Sequence, residues 1–178
     1  TLSTLIYSTF LGTPGEDMGR SALFIDNSDN AIIFGKAGSG FTTTAGAYQQ
    51  VYGGGATDGI IVKLNATGNS LVYSTYLGGN GDDYIINADL NVGTDMVITG
   101  YAGNNFPITS CAYDDTYNGG VSDAFVAKLN STVSQLLYSS YLGGNNSDQG
   151  MAILAYNDSV LIVGETKSPN LPVTVNAY

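Results

Sequence analysis

The chain is 178 residues long, with 15 acidic against 5 basic side chains and a net charge of −10. That length suits one ordinary domain with a real core. An acidic field of this size repels DNA, RNA and anionic membranes, which argues against a nucleic-acid partner. Histidine is absent, so the usual general base, the Ser-His and Cys-His arrangements and every imidazole metal site are excluded. The single cysteine, Cys111, has no partner for an internal disulfide or a Cys-rich zinc site. No apolar run approaches the roughly 18 residues of a membrane span, and Thr1 opens no charged-then-apolar leader. With 24 glycines, 13 tyrosines and 43% hydrophobic residues, the composition is that of an ordered, loop-rich β protein.

In chain order, the first segment of note is Leu5-Ile6-Tyr7-Ser8-Thr9-Phe10-Leu11-Gly12, read as a strand. It returns as Leu71-Val72-Tyr73-Ser74-Thr75-Tyr76-Leu77-Gly78 and again as Leu136-Leu137-Tyr138-Ser139-Ser140-Tyr141-Leu142-Gly143. Tyr7, Tyr73 and Tyr138 are 66 and 65 residues apart. Gly35, Gly100 and Gly164 keep nearly the same period, as do Tyr48, Tyr113 and Tyr178, the pair Asp58 and Asp123, and the Lys-Leu-Asn triplets at Lys63 and Lys128. Self-similarity at a fixed period marks duplicated structural units. The units run approximately 5–70, 71–135 and 136–178, one repeat array whose last member is incomplete.

Each unit reads as four short strands. In the second they are Asn87 to Asn91, Met96 to Gly100, Asp123 to Leu129 and the segment from Leu136. A Gly93-Thr94 turn joins the first two, and a long loop with Phe106-Pro107 and Ala112-Tyr113 precedes the third. In Leu71 to Leu77 neither alternating face carries a charge, which predicts a sheet covered on both sides. Stacked four-stranded antiparallel sheets are the blades of a β-propeller-like, all-β fold. The YSTYLGG strand, the Gly81-Asp82-Asp83 loop, the Phe106-Pro107 to Tyr113 segment and the Ser122 to Asn130 strand together resemble the SBBP (β-propeller) repeat, in nearly three copies. That resemblance implies blades of a secreted or cell-surface protein with no catalytic activity.

About 2.7 units fall short of the 4 to 8 blades of a closed propeller. Three readings follow: a piece of a longer propeller, several copies closing a ring, or copies joined head to tail by strand complementation into a filament. Each expects self-association or continuation through blade faces and strand edges.

Asp17, Asp83 and Asp148 recur in a Gly/Asn-rich loop after the tyrosine strand. Calcium binding is one reading, but six to eight oxygens and an EF-hand-like spacing are missing, so local turns are the better one. Asp26 to Asn30 reads as a hairpin turn. Asp58 and Asp123, each five residues before a lysine, read as strand-end caps or members of an ion pair. No acid is singled out for chemistry, and no cofactor is called for. Asn65, Asn130, Asn145 and Asn157 begin Asn-x-Ser/Thr sequons in expected turns, the first two at equivalent positions. Tyr7, Tyr73, Tyr138, Phe10, Tyr76 and Tyr141 read as packing between blades, with sugar stacking as the alternative. The functional expectation is thus an extracellular structural protein; an adhesin or a carbohydrate- or protein-binding module is the alternative. If the sequons carry glycans, intact mass of the secreted protein will exceed the bare polypeptide value; a mass at that value removes the glycan expectation.

Overall fold

The computed structural model describes residues 4–19, 21–90, 95–157 and 159–177. It is all β, with no helix among these residues. Eleven strands form three antiparallel sheets. In sheet 1, β3 (Ala31–Ala37), β4 (Asp58–Leu64) and β5 (Leu71–Leu77) pair in order, and two short strands, β1 (Asp17–Met18) and β2 (Leu23–Ile25), share the outer side of β3. Sheet 2 runs β6 (Tyr84–Leu90), β7 (Met96–Ala102), β8 (Asp123–Leu129), β9 (Leu136–Leu142). Sheet 3 holds β10 (Asp148–Tyr156) and β11 (Ser159–Thr166).

The period seen in the sequence is the period of the ladder. Gly35 pairs with Ile60 and Gly100 with Phe125, in the same register of β3–β4 and β7–β8. These glycines have a second duty. A Cβ on Gly35 would collide with the carbonyl oxygen of Met18, one on Gly100 with that of Tyr84, and one on Gly164 with that of Gln149. At the same places the first strand of each sheet is irregular: sheet 1 is interrupted between β1 and β2, and β6 and β10 shift register at Ile85/Asn87 and Gly150/Ala152. A bulge beside a residue without a side chain lets the two backbones close. This also explains why β6 begins at Tyr84, three residues before the expected Asn87. The Gly93-Thr94 turn and Tyr178 lie outside the described residues.

Alternation along each strand gives every sheet two apolar faces, and the sheets stack through them. Ile32, Phe34 and Ile61 of sheet 1 share a core with Ile85, Met96, Ile98 and Phe125 of sheet 2. The other face of sheet 2, with Val97 and Val126, meets Ile153 and Ile162 of sheet 3. Side chains also bridge to backbone across the stack: Ile153 N–H donates to Asn87 Oδ1 at 3.2 Å and Ala155 N–H to Asp89 Oδ2 at 2.8 Å. The back face of sheet 1 has its own cluster of Ile60, Val62, Leu64 and Tyr76.

Leu5 to Leu11, expected as a strand, pairs with no strand among the described residues. Leu11 nevertheless packs on the back face of sheet 1, while Leu77, its equivalent one unit later, sits in the core between sheets 1 and 2. Leu5, Ile6 and Phe10 are exposed, Phe10 fully. Its sequence is a strand's; its neighbour on the ladder is missing among the described residues.

Phe125 has no exposure and Phe106 lies over it at 4.5 Å between ring centroids. Replacing Phe125 by Ala removes about 3–5 kcal/mol of stability in urea unfolding. Phe10→Ala, at an exposed site, changes it by less than about 0.5 kcal/mol. Equal effects would mean that the stack does not hold the fold.

Candidate functional site

Two features of the stack are candidates for function: the carboxylates at the sheet junctions and the open end of the stack at sheet 3.

Each recurring loop acid accepts hydrogen bonds from backbone. Asp17 Oδ2 accepts the Thr13 N–H, and both its oxygens receive the Thr13 hydroxyl at 3.1 Å. Asp83 takes the Gly79 N–H at 2.7 Å on Oδ2 and the Gly103 N–H at 3.0 Å on Oδ1. Asp148 takes the Gly144 N–H and the Ser168 hydroxyl on Oδ2, both at 2.8 Å. Asp83 and Asp148 therefore each join two loops, the one following the tyrosine strand and the one following the second strand of the next sheet, whereas Asp17 bonds only Thr13. Asp58 and Asp123 cap the other side of the junction, accepting the Gly53 and Asn118 N–H groups at 2.7 Å. Neither pairs with the lysine five residues on. Lys63 bonds Asp26 at 2.6 Å and Lys128 bonds Asp95 at 3.2 Å, because strand length carries the lysines to the opposite end of the sheet.

Asp58 and Asp83 crowd one glycine: a Cβ on Gly78 would stand 2.7 Å from Asp58 Oδ1 and from Asp83 Oδ2. Asp123 Oδ1 stands 2.8 Å from the corresponding position on Gly143. The Oδ1 atoms of Asp58, Asp123 and Asp148 are buried without a hydrogen-bond partner. Burial, aided by the neighbouring Asp58 and Asp82 charges, pushes Asp83 up to about 7 against the pull of its two backbone donors. Burial likewise pushes Asp58 and Asp123 up to about 6. Among the described residues, no group of three or more His, Cys, Asp or Glu side chains is placed to hold a metal ion.

The tyrosines are latches. Tyr76 Oη donates to Gly38 O and accepts the Phe41 N–H, each at 2.8 Å; Tyr141 Oη donates to Gly103 O at 2.7 Å and accepts the Phe106 N–H at 2.9 Å. Both rings are buried, so neither offers a platform for a sugar. Burial raises the Tyr141 hydroxyl to about 12. The sequon asparagines differ. Asn65 Oδ1 accepts the N–H groups of Asn69 and Ser70, and Asn130 Oδ1 those of Ser134 and Gln135; their Nδ2 groups donate to Asn69 Oδ1 and Ser134 Oγ. A glycan at either would take that amide out of its turn. Asn145 and Asn157 are exposed. Cys111 is exposed, as expected of a residue in a turn.

The second candidate is the end of the stack at sheet 3, where the sequence expects blade faces and strand edges to continue or associate. β3 and β7 pair on both sides, while β11 pairs only with β10 among the described residues. Beside β11, two cavities of about 460 and 540 Å³ lie over sheet 2. The forward face of sheet 3 exposes Leu154, Tyr156, Leu161 and Val163 at 55–68%. Leu161 and Val163 stand where sheets 1 and 2 bury Ile32, Phe34, Val97 and Thr99.

The chain matches no protein-family model and no curated protein sequence.

The raised carboxylates fix the sign of a pH dependence. Their folded pKa values lie above the ordinary 3.8. Folding therefore favours their protonated form; that advantage is full below about pH 4 and is lost as pH rises through 6 and 7. The Asp26–Lys63 pair works the other way, since Lys63 holds Asp26 well below the usual range, and its contribution fades only as pH falls well below 4. The urea midpoint is expected to be higher at pH 5 than at pH 8, with the difference reduced in Asp83→Asn. A midpoint that rises from pH 5 to 8 would refute this assignment.

Proposed function

We propose that this chain is a stack of propeller-type blades with a structural role, displayed outside the cell, which associates head to tail through its two end faces. The carrying observation is the equivalence of those faces to the ones buried inside the stack. Leu154, Leu161 and Val163 of sheet 3 occupy the positions that sheet 1 buries against sheet 2. On the back face of sheet 1, Leu23 and Ile25 are 63% and 61% exposed, at positions where sheet 2 places Ala88 and Leu90. A forward face of one copy and a back face of another are thus complementary by the same rule that joins sheets 1 and 2.

Such a contact is heterologous, because the two faces differ. It repeats indefinitely into a filament or closes into a ring, depending on the rotation per copy. Exposed apolar patches rimmed by polar residues mark association surfaces. The net charge of −10 keeps unassembled material soluble and limits unspecific contacts. The propeller geometry and the extracellular setting rest on the resemblance of the repeat to SBBP units. The acids, each engaged with loop backbone, leave the structural reading ahead of a catalytic one.

Sedimentation velocity across a hundredfold range of concentration tests the proposal. Growing oligomers are expected, visible as filaments or rings in negative stain. Leu161→Glu combined with Val163→Glu places two charges on the forward face, and is expected to leave a folded monomer. A monomer at every concentration in the unmodified chain would refute self-association.

A further inference from the structure

We propose that Asn118 is a site of spontaneous intramolecular modification, losing its side-chain amide as ammonia through attack by the backbone nitrogen of Gly119. The inference is independent of self-association and of any contact made by the ends of the stack.

Asparagine is chemically labile, and a following glycine leaves the attacking nitrogen unshielded by any side chain. The chain contains two such pairs: Asn80-Gly81, between β5 and β6, and Asn118-Gly119, between β7 and β8. Ring closure requires the glycine nitrogen to swing toward the asparagine Cγ, so the backbone between the two residues must turn. At Asn80-Gly81 it is pinned. The Asn80 N–H donates to Asn104 O at 3.2 Å. A Cβ on Gly81 would stand 2.7 Å from Gly103 Cα, and one on Gly55 would collide with the Gly81 carbonyl oxygen. Gly81 is thus wedged between two other loops, backbone against backbone, and cannot turn without moving both.

At Asn118-Gly119 the backbone has room. A Cβ on Gly119 would meet only the Asn145 backbone, at 3.7 Å. The restraint here acts on the amide instead: Asn118 Nδ2 donates to Asp114 Oδ2 at 2.7 Å and to Thr116 O at 3.0 Å. Asn118 is exposed, so water takes over both bonds when the loop opens locally. Two exposed hydrogen bonds yield more readily than three packed backbones, which places the reaction at Asn118.

The reaction needs only water. The Gly119 nitrogen gives its proton to solvent and bonds to Asn118 Cγ. The Cγ–Nδ2 bond breaks, and the amide nitrogen leaves as ammonia after taking a proton from water. A water molecule then opens the five-membered imide at either carbonyl, leaving aspartate or its β-linked isomer. In the aspartate, an oxygen replaces the donor that faced Asp114 at 2.7 Å, and Asp123, which accepts the Asn118 N–H at 2.7 Å, adds a further acid. An acceptor among carboxylates drives this loop away from Asp114 and loosens the cap on Asp123. The first unit has Gly53 at the equivalent position, bonded to Asp58, so its cap carries no such site.

Incubating the folded chain in mildly alkaline buffer, followed by peptide mapping with mass spectrometry, tests the proposal. Asn118 is expected to convert about tenfold faster than Asn80, the ratio that a modest difference in opening free energy produces. In the chain unfolded by urea the two should convert at similar rates. Equal rates in the folded chain, or faster conversion at Asn80, would overturn the proposal. So would an Asn118 that persists while the unfolded chain loses both amides. Asp114→Ala frees the amide and is expected to speed conversion at Asn118 with Asn80 unchanged; no acceleration would refute the assigned restraint. Asn118→Asp reproduces one product, and hydrogen exchange at residues 114–123 is expected to quicken while residues 53–58 keep their rates. Unchanged exchange at 114–123 would refute the structural consequence.

Discussion

The structure depends on one constraint: each sheet is apolar on both faces. A sheet with one wet face can end a domain, but a sheet with two apolar faces must be covered twice. Ile32 and Phe34 point one way from β3 while Ala31 and Ile33 point the other, and the same division recurs on β7. Stacking is therefore written into every strand rather than into a special interface. It also leaves apolar sheet face exposed at the two ends of the stack, as at Leu23, Ile25, Leu154, Leu161 and Val163.

Close stacking imposes a secondary problem at the loops, which must satisfy their own backbone groups in a confined space. Buried N–H groups without acceptors cost about 1–3 kcal/mol each. The carboxylates answer this problem. Asp83 alone receives donors from two loops that belong to different strand connections. Its burial raises its pKa, so the arrangement is less favourable when the acid is charged, yet removing it would leave two donors without acceptors. Asp58 and Asp83 meet at Gly78 because only a residue without Cβ admits both. The repeated Asp, Gly and Tyr positions are thus one assembly, with the tyrosine hydroxyl bonded to a neighbouring loop on the same principle.

Much of this was legible in the residues. Strand type, antiparallel ladders and the doubly apolar faces followed from alternation, and the turn duty of the acids followed from their Gly/Asn surroundings. Position along the ladder was less legible. The bulge that starts β6 at Tyr84 depends on a backbone approach between Tyr84 and Gly100, which leaves only a glycine in the sequence. Val133 is another case. It is fully buried with a φ of 49°, a conformation in which a branched side chain is strained, and which its counterpart Gly68 adopts freely at a φ of 66°. Its side chain joins the core with Tyr73, whereas Gly68 leaves room for the ring of Tyr7. The loss of ladder partners at Leu5 to Leu11 was not legible either, because a strand's sequence does not name its neighbour.

The two open features at sheet 3 obey different physics, although they lie within one strand of each other. The forward face offers apolar area without direction, so whatever covers it is selected by shape and hydrophobicity. The edge of β11 offers a row of directed backbone groups, so what pairs with it must be extended and in register. Adjacent residues of β11 divide the tasks: Leu161 and Val163 belong to the face, Ile162 and Gly164 to the groove. Period-two alternation makes the division unavoidable, since neighbours on a strand cannot share a side.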